Sequence, residues 1–165
     1  MRAALLALAL LAGCAAAPTA EDLTGGVVGF DPADPGIAGA VQAATATLPL
    51  FYRYALSGGQ SLPPASIKVA FPTGPGRGDE VIWVSPFRME ADGSFIGLLA
   101  NQPVAMPQGF GDPVEFDSSM VRDWAWEEND RTYGNYTARA TIASGVLTRE
   151  QIPGLSADPL PRSWQ

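Results

Sequence analysis

The chain contains no histidine, and this absence excludes more chemistry than any motif present supplies. Ser-His-Asp and Cys-His nucleophilic catalysis are ruled out, and so are zinc sites built on imidazole. Cysteine occurs once, at Cys14, so no intramolecular disulfide can form. Lysine also occurs once, at Lys68, and no basic patch offers itself to a phosphate backbone, so a nucleic-acid partner is not expected. No Gly-Lys-Ser/Thr phosphate loop occurs. Charged residues are only 16% of the chain, with 10 Lys and Arg against 17 Asp and Glu and a net charge of −7. Such acidity keeps a domain soluble, suits a basic partner, and is repelled by anionic headgroups. Carboxylates, Tyr, Ser, Thr and Lys68 are all that an enzyme would have to work with, and no cofactor or metal is expected.

What is present starts at the N-terminus. Met1-Arg2 is followed by small and apolar residues from Ala3 to Ala12, the layout of a secretory signal and too short to span a bilayer. The ending Leu11-Ala12-Gly13-Cys14 resembles the lipobox of bacterial lipoproteins. That resemblance implies cleavage before Cys14, a thioether-linked diacylglycerol on its sulfur and acylation of the new N-terminus. It would also account for the odd cysteine, and two or more acyl chains anchor stably. Ala15 rather than Asp follows, which points to the outer membrane, facing the periplasm. The expected membrane partner is therefore engaged through lipid.

The 165 residues, 47% hydrophobic, have room for one domain with a proper core. Gly and Pro, at 18 and 15, indicate many turns and short elements. The chain is expected to divide into a signal peptide (1–13), a flexible tether (14–30), an α+β domain (31–143) and a C-terminal tail (144–165). Asp34-Pro35 is a helix start, with Asp34 as N-cap. Ile37, Val41, Ala44 and Leu48 follow at helical spacing, Pro49 should kink or break the helix, and Phe51, Tyr54 and Ala55 resume the core face before Ser57-Gly58-Gly59. Strands are expected around Ile67–Phe71, Glu80–Phe87, Phe95–Ala100, Val114–Phe116 and Met120–Trp126, with a hairpin turn at Ala91-Asp92-Gly93-Ser94. Tyr136, Ala138, Ala140 and Ile142 alternate with Thr137, Arg139 and Thr141, which predicts a further half-buried strand. The tail is expected to hold at most one short helix and then Pro-rich coil. The fold class is α+β: a kinked N-terminal helix packed on a strongly bent antiparallel sheet of five or six short strands, with a small SH3-like barrel as one form it would take.

Several short motifs follow in order. They are Ala43 to Phe51, Lys68-Val69-Ala70-Phe71, Glu80-Val81-Ile82-Trp83-Val84, Gly97-Leu98-Leu99-Ala100-Asn101-Gln102-Pro103, Gly111-Asp112-Pro113-Val114-Glu115-Phe116, Asp123-Trp124 and Gly134-Asn135-Tyr136-Thr137-Ala138-Arg139. In this order they resemble the bacterial domain of unknown function 2314, or YegJ-like, family. The resemblance implies a fold and no activity. Where that family often carries Glu-His before Trp-Val, this chain has Glu80-Val81, so no role resting on that histidine transfers.

Gly97, Gly111 and Gly134 are explained by bends or turns, and Asn101 and Pro103 by shaping a turn after a strand. Trp83 and Trp124 fit core packing better than a ligand platform. The polar set Lys68, Glu80, Asp123, Thr137 and Arg139 carries the chemistry. Its structural reading is a salt-bridge and hydrogen-bond network that fixes register, with Asp123 also able to cap a turn through backbone amides. Its catalytic reading is a Glu80–Asp123 acid and base pair acting on envelope glycan. Asp112, Glu115 and Asp117 match no calcium loop and are read as solvated surface. Two functions stay open at this point. One is a non-catalytic envelope module that binds a protein or glycan; the other is a carboxylate-dependent hydrolase.

Overall fold

The computed structural model describes residues 33–165. The signal peptide, Cys14 and the tether lie outside the described residues. Helix α1 (Pro35–Ala55) begins as its sequence dictates: the Asp34 carboxylate accepts from the amides of Gly36 and Ile37, and Pro35 opens the first turn. It then runs unbroken through Pro49. Pro49 sits on the exposed face, and Ala44, Leu48, Phe51 and Ala55 are buried around it, so packing holds the helix together where propensity would end it.

Eight antiparallel strands follow: β1 (Leu56–Ser57), β2 (Gln60–Ser61), β3 (Ala65–Pro72), β4 (Asp79–Met89), β5 (Phe95–Leu99), β6 (Pro113–Phe116), β7 (Val121–Glu128) and β8 (Arg131–Gly134). The main path is β1-β2-β4-β3-β7-β8, with β5 on β4 and β6 on β5. Among the described residues β6 and β8 do not pair, so the sheet is open and closes into no barrel. β4 pairs with β3 through its first half and with β5 through its second, its register shifting between Val84 and Phe87. That central place matches its apolar character on both faces. Asp92 closes the β4–β5 hairpin by accepting from the amide and hydroxyl of Ser94. The β7–β8 turn uses positive φ at Asn129 and Asp130.

The segment from Tyr136 is not a strand. Tyr136–Ala143 forms helix α2. Its buried residues Thr137, Ala138 and Thr141 recur at helical spacing, which the alternation of side-chain types concealed. The tail has no α-helix, only 3₁₀ turns at Arg149–Gln151 and Arg162–Trp164. It runs along the edge of β8, where Thr132 donates to Gly154 O and Gly134 to Pro159 O, and thereby covers an otherwise free edge. It ends with Trp164 in the core, where the ring stacks on Tyr54 at 4.9 Å and Trp124 at 5.6 Å. Phe51, fully buried, lies 4.9 Å from Trp124 and joins this aromatic group to α1.

Candidate functional site

Strand register brings the central polar residues together. Lys68 on β3 stands directly opposite Asp123 on β7 and Trp83 on β4, and cross-strand partners share a face. β8 pairs with β7 only as far as Ala125, so beyond that point the outer edge of β7 is open. The chain turns there at Gly134 and Asn135, both with positive φ, and α2 begins against the exposed edge. The turn demands glycine at 134, because a Cβ would lie 2.3 Å from the Trp124 carbonyl oxygen. Asn135 N then donates to that same carbonyl at 2.7 Å.

Asp123, completely buried, completes the helix start. Oδ1 accepts from Tyr136 N at 3.0 Å and Trp124 N at 2.9 Å, and Oδ2 accepts from Thr137 N at 2.7 Å and Thr137 Oγ1 at 2.6 Å. Asn135 makes no side-chain cap, so a carboxylate from a distant strand does the work of an N-cap. The negative charge also meets the positive end of the helix. Lys68 Nζ donates to Thr137 Oγ1 at 2.8 Å and lies 4.7 Å from the centre of the Trp83 ring. Burial holds the Lys68 ammonium below the ordinary lysine range, against the opposing pull of Asp123. The order is therefore Lys68 to Thr137 to Asp123, with the threonine hydroxyl accepting from one and donating to the other. The Trp124 indole extends the network by donating to Thr47 Oγ1 at 2.9 Å, and Thr47 in turn donates to the Tyr136 hydroxyl at 3.3 Å.

Glu80 and Arg139 lie elsewhere. Glu80 pairs with Phe71, three residues along β3 from Lys68 and so on the other face. Two strand spacings and three residues place the Glu80 and Asp123 Cα atoms about 14 Å apart. Both oxygens of Glu80 are taken by loop amides: Val104 N at 2.6 Å, Ala105 N at 2.8 Å and Met106 N at 3.1 Å. Arg139 faces the tail, donating to Gly134 O at 2.7 Å and Ser156 O at 2.8 Å. Trp124 is fully buried, and Trp83 is half-buried beneath Lys68.

The five residues thus form one three-membered lock and two separate clamps. Thr137 is 3% exposed and its hydroxyl is held from both sides, so it cannot attack a substrate. An open cleft of about 520 Å³ lies between the β7–β8 turn, Pro64 and the tail at Pro153 and Gly154, and none of the five residues lines it. Among the described residues no three acidic side chains are grouped to hold a metal ion. Asp112 instead accepts from Gly109 N within its own loop. Thr47 and Trp164 complete the site's surroundings: Thr47 lies within the Ala43 to Phe51 motif but carries no sign of its indole partner, and Trp164 sits in a Pro-rich tail outside every motif.

The family model for domain of unknown function 2314, described as an uncharacterised protein conserved in bacteria, matches residues 34–151. The chain belongs to this family. The match to DUF2314 runs from the Asp34 cap through all eight strands, α2 and the first 3₁₀ turn of the tail, so the Lys68–Thr137–Asp123 lock lies wholly inside it. No curated protein and no solved structure matches the chain.

Proposed function

We propose that this DUF2314 protein is a non-catalytic binding module of the bacterial envelope, held to the outer membrane by lipid on Cys14. The observation that carries the non-catalytic reading is the full internal use of both carboxylates. Each Glu80 oxygen accepts backbone amides, and so does each Asp123 oxygen. Acid and base catalysis needs two carboxyl groups facing one bond, about 5–10 Å apart; these two face different elements about 14 Å apart by strand spacing. The lipobox-like Leu11-Ala12-Gly13-Cys14 supports the anchor. No described helix is long and apolar enough to cross a membrane.

Fractionation of a bacterial host tests the anchor. The wild-type chain partitions into detergent, whereas Cys14→Ser is released with an unchanged urea midpoint; a Cys14→Ser protein that stays in the salt-washed membrane pellet contradicts the proposal. Incubation of the protein with purified peptidoglycan tests the absence of catalysis. No new reducing ends are expected, and release that disappears in Glu80→Gln overturns it.

A further inference from the structure

The thirteen-residue connection between β5 and β6 is braced by side-chain hydrogen bonds, yet it exposes Val104 and Phe110. Glu80 gathers three successive amides from it. Asn101 Oδ1 accepts from Trp83 N at 2.9 Å and ties the loop's start to β4. Gln102 Oε1 accepts from Phe110 N at 3.1 Å, and Asp112 Oδ2 from Gly109 N at 2.7 Å. Pro103 is buried and Met106 packs against the core. From this frame Val104 projects 81% exposed and Phe110 54% exposed, with Leu98 37% exposed on the adjoining strand. Apolar side chains held out to solvent from a braced frame are available to a partner. A braced loop loses little freedom on binding, and aromatic residues are enriched at interface centres.

Charge then selects the partner. No charged residue occurs from Asn101 to Gly111, while Asp112, Glu115 and Asp117 follow on the exposed border. Exposed apolar residues in an uncharged loop followed by acidic ones, on a chain of net charge −7, disfavour anionic lipid and a second copy of the chain. It fits a protein with an apolar pocket and a basic rim. We infer that residues 101–112 form a protein-recognition loop, in which Val104 and Phe110 enter such a pocket and Asp112 and Glu115 meet its rim. This rests on the binding-module reading and adds to it the surface and the partner's chemistry.

The test is site-specific photocrosslinking of the full chain in its native host, with a benzophenone amino acid at position 104, 110 or 146. Val146, 65% exposed outside the loop, is the control. Positions 104 and 110 are expected to give one discrete protein adduct, with a cluster of Lys and Arg flanking the crosslinked site on the partner, at least tenfold above position 146. Phe110→Asp, whose side chain is exposed and whose fold is checked by circular dichroism, is expected to abolish the adduct at 104. Adducts to lipid or to a second copy, equal yield at 146, or an adduct indifferent to Phe110→Asp overturns the inference. An adduct at 146 alone, or no protein adduct at any position, removes the loop but leaves the binding-module reading to its own fractionation and peptidoglycan tests.

Discussion

Replacing Asp123 by Ala removes four acceptor contacts at once from a fully buried site. The Thr137 hydroxyl can rotate, and the Trp124 amide lies in a strand. The amides of Tyr136 and Thr137 have no substitute, because they open the first turn of α2 and Asn135 provides no cap. An unsatisfied buried donor costs about 1–3 kcal/mol, and loss of an N-cap contributes about 1 kcal/mol. Lys68, joined to Asp123 only through Thr137, would also lose part of the attraction that opposes its desolvation. These contributions overlap, so the expected loss is about 3–5 kcal/mol, a large share of the roughly 5–15 kcal/mol that holds a domain folded. Asp123→Asn keeps one acceptor and turns a donor toward Thr137 N, for a loss of about 1–3 kcal/mol. Urea unfolding followed by tryptophan fluorescence reads both, since Trp124 and Trp164 are stacked in the core. An Asp123→Ala midpoint corresponding to less than about 0.5 kcal/mol, the scale of an ordinary surface substitution, would refute the reasoning.

Three more outcomes follow from the same geometry. Lys68 sheds its proton at lower pH in the fold than in the unfolded chain. Between those two pKa values the unfolded chain carries the extra proton, so stability climbs with pH toward the ordinary lysine value of about 10.4. Burial raises Tyr52 and Tyr136, whose effect runs the other way above about pH 10. The difference between the urea midpoints of wild type and Lys68→Met should therefore change as pH rises toward about 10, and parallel curves would show that Lys68 is not desolvated. Gly134→Ala meets both a φ of +68° and the Trp124 carbonyl, so a loss of about 3 kcal/mol or more is expected, and one under about 1 kcal/mol contradicts the turn. Trp164→Ala should cost about 3–5 kcal/mol. It should also speed amide exchange at Thr132 and Gly134, which donate to the tail; unchanged exchange there would mean that the tail is not seated by its tryptophan.

Most of the fold was legible because apolar residues alternate where strands are half-buried and recur at helical spacing in α1. The exceptions are the short strands β1, β2 and β8, which lie outside the five or six expected, and Tyr136–Ala143, where Thr and Ala alternate so evenly that the pattern mimics a strand. Ala138, Ala140 and Ala143 favour a helix, but the element depends on a cap thirteen residues upstream in sequence, which no local window reveals. The same fact limits the candidate site. Lys68, Glu80, Asp123, Thr137 and Arg139 share a polar character among apolar neighbours, but the structure joins only Lys68, Thr137 and Asp123, with Thr137 entering from a helix N-terminus. Glu80 looked equivalent to Asp123 in sequence, and only strand register separates them. The strap formed by the tail was hidden by its prolines, since a bound coil and a free coil have the same composition.

The central claim is that Asp123 and Thr137 act as one internal lock rather than as groups reserved for substrate. A double-mutant cycle on Asp123→Asn and Thr137→Val in urea measures this directly. The lock predicts a coupling of about 1–2 kcal/mol; additivity within about 0.5 kcal/mol would contradict it.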